Sequence, residues 1–216
     1  MKIAIYSPKG GVGKTSLATN LALELGFNII TNDKFGTNIE KINKGRSHKR
    51  GFLINEEEDE IALENNTVYD FGGFLDNRVL TILSDSDLVI IPTLHSYSDI
   101  KSTLAMLMEL KKLNQKNIII AINRVTTSHK KKNAEGEKEY AEYVETKAEL
   151  KQNIKKYELP KVKFIQIREN KSWKNSTSKG KSLIDLAEKT NLIKRSSKAS
   201  IEDLEALKKL VKKYWK

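Results

Sequence analysis

The chain has 216 residues, 38% hydrophobic and 31% charged; that length suits one α/β domain, and no stretch rich in Gly, Pro and Ser divides it, so a single domain over 1–216 is expected. It has no cysteine, which excludes disulfides, thiolate metal sites and Cys-ligated iron–sulfur clusters, and no apolar run is long enough to span a bilayer. The net charge is +11 and lopsided: residues 1–126 carry 15 Lys+Arg against 15 Asp+Glu, whereas residues 127–216 carry 24 against 13, which points to a polyanionic partner, nucleic acid or an acidic membrane, over a merely solvated Lys-rich surface.

Lys2–Ser7 predicts a short strand running into a glycine-rich loop. No signal peptide and no amino-terminal helix-turn-helix extension is expected before it. Leu17, Leu21 and Leu25 share one face of a helix over Thr15–Leu25, which Gly26 ends. Asn28–Asn32 is a second strand. Gly51–Asn55 is a candidate strand and Glu56–Glu60 an acidic surface turn. Thr67–Asp70 is a strand ending in Phe71-Gly72-Gly73, Leu88–Pro92 a buried strand, Asp99–Leu113 a helix and Asn117–Ile122 another buried strand. Tyr140, Val144, Leu150, Ile154 and Tyr157 place a helix between the basic run His129–Lys132 and Pro160. Lys163–Ile167 is a strand, Leu183–Leu186 a short helix and Ile201–Tyr214 the last helix. Continuous apolar strands alternating with helices predict an α/β fold, a mostly parallel sheet flanked by helices on both faces. Ligands of such sheets sit at the carboxyl ends of the strands, where the glycine loop, Asp33, Asp70 and Asn123 all fall. His48, His95 and His129 are too scattered for a metal site and read as ordinary surface or core residues.

The loop is Ser7-Pro8-Lys9-Gly10-Gly11-Val12-Gly13-Lys14-Thr15-Ser16. Its small residues let backbone N–H groups wrap phosphates, and the helix that follows aims its positive end at them. Lys14 is placed for the β- and γ-phosphates and the Thr15 hydroxyl for Mg²⁺. Strand, loop, Gly-Lys-Thr and helix occur together, so ATP and Mg²⁺ are the expected ligands of Gly10, Gly11, Val12, Gly13, Lys14, Thr15 and Ser16. A glycine turn before a capped helix is the bland alternative.

The run Lys9-Gly10-Gly11-Val12-Gly13-Lys14-Thr15-Ser16 resembles the deviant Walker A motif of the ParA/MinD ATPases, a class of P-loop NTPases. Pro8 stands where the ordinary motif has its first Gly, and Lys9 follows as an extra lysine. The resemblance implies that Lys9 reaches across a nucleotide sandwich dimer to the partner's ATP, as an arginine finger does. In Thr31-Asn32-Asp33-Lys34-Phe35-Gly36, Asp33 matches the family's second Asp, which positions the attacking water; a plain turn residue is the alternative. Thr31 replaces the family's first Asp and the Pro-Gln pair is absent, which implies slow or differently arranged hydrolysis. Asp70, in Tyr69-Asp70-Phe71-Gly72-Gly73, resembles the Walker B acid that holds Mg²⁺, often through water. A kinase reading of Asp-Phe-Gly fails for want of the accompanying kinase motifs. Ser86–Thr93 and Ser98-Asp99-Ile100 resemble the family's next strand and helix start. Asn123-Arg124 resembles the pair that borders adenine, the amide at the base edge and the guanidinium on the ring; a structural cap is an equal alternative for the asparagine. Ile167-Arg168-Glu169-Asn170 and Gly180-Lys181-Ser182-Leu183 complete the series in the family's order, so the resemblance covers nearly the whole chain.

Within that class, the missing cysteines exclude nitrogenase-type and iron–sulfur scaffold proteins, and a tail whose only tyrosine is Tyr214 speaks against bacterial tyrosine kinases. The resemblance then implies a cytoplasmic, nucleoid-associated DNA partition ATPase. It would form a homodimer on ATP, hydrolyse slowly, bind DNA without sequence preference and be stimulated by a ParB-like centromere-binding partner. Lys151, Lys155, Lys156, Lys161, Lys163, Lys171, Lys174, Lys179 and Lys181, with Trp173 among them, are the candidate DNA contacts. The alternative is a MinD-like membrane-cycling ATPase that uses the basic amphipathic tail Ile201–Lys216. A closing helix packed on the sheet is the favoured reading of that tail. A nucleotide-dependent scaffold without appreciable hydrolysis stays open because of Thr31.

Overall fold

Strand β1 (Lys2–Tyr6) shows why the sheet needs cover on both sides. Successive side chains of a strand point to opposite faces; Ile3 and Ile5 enter one apolar cluster, Ala4 and Tyr6 the other, and all four are buried. The computed structural model describes residues 1–33, 39–44, 48–54, 65–72, 75–134 and 136–215. Around β1 lie β2 (Asn28–Thr31), β3 (Gly51–Leu53), β4 (Thr67–Phe71), β5 (Leu88–Thr93), β6 (Ile118–Val125) and, after a two-stranded hairpin of β7 (Lys130–Lys132) and β8 (Lys138–Tyr140), β9 (Lys163–Arg168). The order across the sheet is β3-β2-β4-β1-β5-β6-β9, and every pairing in it is parallel.

Helices α3 (Asn77–Asp85), α4 (Tyr97–Lys112) and α5 (Ala141–Lys156) cover one face. Helices α1 (Lys14–Leu25), α2 (Ile39–Asn43), α6 (Lys171–Ser178), α7 (Leu183–Ala187) and α8 (Asn191–Lys212) cover the other. Each fully buried Ile or Leu in these layers contributes roughly 1.5–3 kcal/mol. Gly26 ends α1 as the loop-facing sequence predicts, in the left-handed region with its N–H on Ala22 and Leu23 carbonyls.

Several elements differ from the sequence-based expectation. The strand at Gly51 stops at Leu53; Asn55 and the acidic turn Glu56–Glu60 lie outside the described residues, as do Lys34–Gly36 and Gly73. Helix α3 was not expected: it is only nine residues long, buries Val79, Ile82 and Leu83, and is started by Asp76, which accepts from the Val79 N–H at 2.9 Å. Helix α6 escapes an apolar-stripe search because it packs through Ser172, Trp173, Ser176 and Thr177. The predicted helix from Tyr140 starts one residue later, and its buried stripe is Tyr143, Thr146 and Leu150. The last helix begins ten residues before Ile201, since its first half turns small Ser197 and Ser200 inward instead of leucines.

Two polar anchors hold the α6–α8 layer. Asn20, fully buried on α1, donates to the Ser16 carbonyl and to Ser176 Oγ and accepts from the Leu183 N–H at 2.8 Å. Arg168, at the end of β9, donates from its backbone N–H and its guanidinium to buried Asp203 on α8 at 2.7–3.2 Å and also reaches the Ala199 carbonyl and Glu202. That pairing holds the guanidinium firmly protonated. Since Trp215, just past the end of α8, stacks edge-on against Phe27, next to the start of β2, α8 runs antiparallel to the strands. Its residues before Ala199 therefore extend past the carboxyl end of β9, where the Ser196 carbonyl and Ser197 Oγ meet Asn170 and Ser172.

Candidate functional site

Strand β1 delivers the chain to the glycine loop, and α1 carries it away. Gly13 is the N-cap of α1 at φ +93°, a conformation that side-chain-bearing residues avoid. Among the described residues no side chain caps this helix, and its first turn has no acid, so the positive end of α1 is turned to the cleft. The phosphate lobe of that cleft, about 380 Å³, is lined by Gly10, Gly11, Gly13, Lys14, Thr15, Ser16, Asp33, Asp70, Gly72 and Arg124. A second lobe of about 530 Å³ shares Gly13, Ser16 and Arg124 with it and adds Leu17, Asn123, Arg168, Glu169, Asn170, Lys171, Trp173 and Lys174. Val12 is buried beneath the loop and takes part through its carbonyl.

Both loop lysines are held within the chain. Lys14 Nζ donates to the Lys9 carbonyl at 2.8 Å. Burial pushes the Lys14 ammonium below the ordinary lysine value, against the upward pull of Asp70 and Asp33. Lys9 turns away from the cleft: its Nζ donates to Ser98 Oγ at 2.8 Å and lies 3.5 Å from buried Asp99, in the first turn of α4. A cation at a helix N-terminus opposes the helix dipole, which offsets part of the attraction of Asp99 for Lys9.

The acids come together from separate strands. Asp70, buried on β4, stands in register with Ile5 of β1 on one side and Thr31 of β2 on the other. Thr15 lines the same lobe from α1. A buried carboxylate with a hydroxyl and a second aspartate nearby is the oxygen donor set that Mg²⁺ prefers. Among the described residues no group of three His, Cys, Asp or Glu forms a protein-only metal cage, so phosphate and water oxygens would complete the shell. Thr31 accepts the Asp33 N–H on its Oγ1 at 3.0 Å, a turn that an aspartate in its place would also make. The residue that sequence reasoning passed over is Asn32. Its amide accepts the Gly72 N–H at 3.0 Å and donates to the Gly72 carbonyl at 3.1 Å, tying the Asp33 loop to the chain just past Asp70. Its signal was its place beside Asp33, but the partner lies 40 residues away.

Asn123 has both amide atoms engaged within the chain. Nδ2 donates to the Val12 carbonyl at 2.7 Å and Oδ1 accepts the Arg124 N–H at 2.8 Å. These bonds brace the glycine loop against β6. Arg124 lines both lobes.

The sequence cluster of lysines is divided in space. Strand β9 spans roughly 20 Å at 3.3 Å per residue, leaving Lys155, Lys156, Lys161 and Lys163 around its amino end and Lys171 and Lys174 at the cleft. Trp173 does not stand among exposed lysines as expected: it is 7% exposed and packs in the core with α1 and α8. The overhanging start of α8 adds exposed Lys194, Arg195 and Lys198, which sequence reasoning did not single out. Farther along α8, Leu204, Leu207 and Val211 are fully buried against the sheet. No helix among the described residues is long and apolar enough to cross a membrane.

The fold is similar to that of MinD from Pyrococcus horikoshii complexed with Mg-ADP, at 16% identity and a TM-score of 0.62 over 100% of this chain and 99% of that one. It is similar to a putative plasmid partition protein from Borrelia burgdorferi bound to AMPPNP, at 19% identity and 0.55 over 95% and 98%. An ATP complex of a McdA variant from Cyanothece is similar at 15% identity and 0.60 over 97% and 95%. At such identities the likeness is one of fold. No curated protein matches the chain in sequence. Residues 3–184 match the CobQ/CobB/MinD/ParA nucleotide binding domain, and that stretch contains both lobes of the cleft. The chain therefore belongs to the CobQ/CobB/MinD/ParA family of nucleotide-binding domains, the family that contains the ParA/MinD proteins its phosphate loop resembles.

Proposed function

We propose that the chain is a ParA-type DNA partition ATPase that closes as a homodimer on ATP and binds DNA without sequence preference. The observation that carries this reading is where the excess positive charge lies. Lys171 and Lys174 line the cleft, and the overhang of α8 brings Lys194, Arg195 and Lys198 to the same end of the sheet. Two chains meeting cleft to cleft would join two such surfaces, and phosphate contacts from lysine and arginine give salt-dependent, sequence-independent affinity. The alternative of a membrane-cycling ATPase is less favoured, because the tail's Leu204, Leu207 and Val211 are occupied by the core.

In this reading Lys14 exchanges the Lys9 carbonyl for nucleotide phosphates, and Thr15 and Asp70 hold Mg²⁺, which neutralises phosphate charge when bound. Asp33, set by Thr31 and Asn32, orients the attacking water. Lys9 leaves Ser98 and Asp99 and reaches the partner's phosphates. Hydrolysis then opens the dimer and releases DNA, and a ParB-like partner sets the rate.

Sedimentation of the Asp33→Ala variant with ATP and Mg²⁺ is expected to give a dimer that Lys9→Ala abolishes. A monomer under every nucleotide condition refutes the dimer. Random duplex and anionic vesicles are compared side by side with ATP. DNA binding is expected to weaken steeply with salt, and each of Lys194→Ala, Arg195→Ala and Lys198→Ala to lower the log–log slope by about 1. A flat salt dependence, or tighter binding to the vesicles, refutes the DNA reading.

A further inference from the structure

We infer that His95 is a positioning residue for the nucleotide cleft: its imidazole N–H fixes the backbone of Arg124 in the conformation that directs the arginine into both lobes. The inference rests on Arg124 being a nucleotide contact.

Arg124 has φ +55°, in the left-handed region that residues with side chains rarely adopt. It lies in a bulge, because between the pairs Ile122–Gln166 and Val125–Arg168 two residues of β6 oppose one of β9. A bulge of this kind takes peptide groups out of the strand ladder. Here side chains take them up: Asn123 Oδ1 accepts the Arg124 N–H at 2.8 Å, and His95 Nε2 lies 3.1 Å from the Arg124 carbonyl. The same nitrogen lies 3.5 Å from Glu142 Oε2, the oxygen that accepts the Thr126 N–H at 2.7 Å.

Both atoms facing Nε2 are acceptors, so Nε2 is the ring nitrogen that carries hydrogen. Nδ1 is buried and has no hydrogen-bond partner among the described residues. The imidazole is half-buried, and the contact that fixes it is made at Nε2, which is directed at Arg124. His95 itself lines neither lobe. Its influence on nucleotide therefore passes through Arg124, which lines both. The β5–α4 connection that carries His95 continues into Ser98 and Asp99, the holders of Lys9, so one short segment touches both a loop lysine and the cleft arginine.

The test is ATP affinity and steady-state ATPase activity in His95→Ala, His95→Gln, Arg124→Ala and the double variant His95→Ala/Arg124→Ala. A guanidinium stacked on the base acts in the ground state, so His95→Ala is expected to raise KM and Kd for ATP roughly fivefold to tenfold with kcat within about twofold. Glutamine can present an N–H where Nε2 stands and is expected to restore KM to within about twofold. The double variant is expected to bind no more weakly than Arg124→Ala alone. His95→Phe, which keeps a ring without the N–H, gives the same reading if the alanine variant melts too low to assay. An unchanged KM in both His95→Ala and His95→Phe beside a raised one in Arg124→Ala overturns the inference. So do losses that multiply in the double variant, or a glutamine no better than alanine. An unchanged KM in Arg124→Ala refutes the arginine contact, and the inference with it.

Discussion

Substituting alanine at each loop glycine separates what the fold demands from what nucleotide demands. At Gly13 an added Cβ would stand 2.2 Å from Asn123 Nδ2, at φ +93°. The left-handed backbone costs an alanine roughly 1–2 kcal/mol. Displacing the Asn123 amide breaks its 2.7 Å bond to the Val12 carbonyl inside the chain, and leaving that buried pair unmade costs about 1–3 kcal/mol. Gly13→Ala should therefore lose about 3 kcal/mol, which for a chain of this size lowers Tm by roughly 6–12 °C. Gly11 is at φ +73° with open space around the Cβ, so Gly11→Ala should lose only the backbone part, about 1–2 kcal/mol. Gly10 meets nothing within 4 Å and carries no such φ. Gly10→Ala should melt with the wild type without nucleotide, and any loss of ATP binding there reports the close approach of phosphate alone. Thermal melts of the three variants with and without ATP and Mg²⁺ read the series. A Gly13→Ala variant that melts with the wild type, or a Gly10→Ala variant that melts as low as Gly13→Ala, would refute this account of the loop.

Lys14→Met removes a partly buried ammonium whose pKa burial has lowered. The unfolded chain holds that proton between the lowered and the ordinary value, so the wild type gains stability as pH rises through that alkaline window. Without nucleotide, Lys14→Met is expected to melt no lower than the wild type at neutral pH, with an advantage that shrinks as pH rises, and to lose ATP binding; a lower melt at neutral pH contradicts this. Asn32→Ala frees the Asp33 loop from Gly72 and is expected to lower kcat about tenfold with ATP affinity little changed, so an unchanged kcat in single-turnover assays rules out the positioning role. Asp203→Ala leaves Arg168 with its main partner gone and is expected to cost about 3 kcal/mol in urea unfolding. The double change Arg168→Met/Asp203→Leu should recover much of that, and a double variant as unstable as the single one would mean the pair matters for more than its buried charge.

The phosphate loop was legible because all its parts lie in one run of ten residues, Ser7 to Ser16, and each part acts through local backbone geometry. The sheet was legible for a similar reason: runs such as Leu88–Pro92 and Ile118–Ile122 are apolar on both faces, and only a covered parallel sheet buries both. Helices α3 and α6 were less legible, because one is short and the other packs through serine, threonine and a tryptophan. Which side chains meet was another matter. Lys9 and Ser98 are 89 residues apart, and Asn32 and Gly72 are 40 apart.

By itself, then, the sequence determined the class of fold, the phosphate loop and the surplus of positive charge in the last two-fifths of the chain. Tertiary structure alone decided that β9 parts the lysines, that Trp173 is core, that the start of α8 brings three further cations to the carboxyl end of the sheet, and that Lys9 rests on α4. Periodicity and loop chemistry are properties of neighbouring residues. Contacts made across a parallel sheet depend on the crossovers that return the chain, and those bring together residues with no local pattern in common.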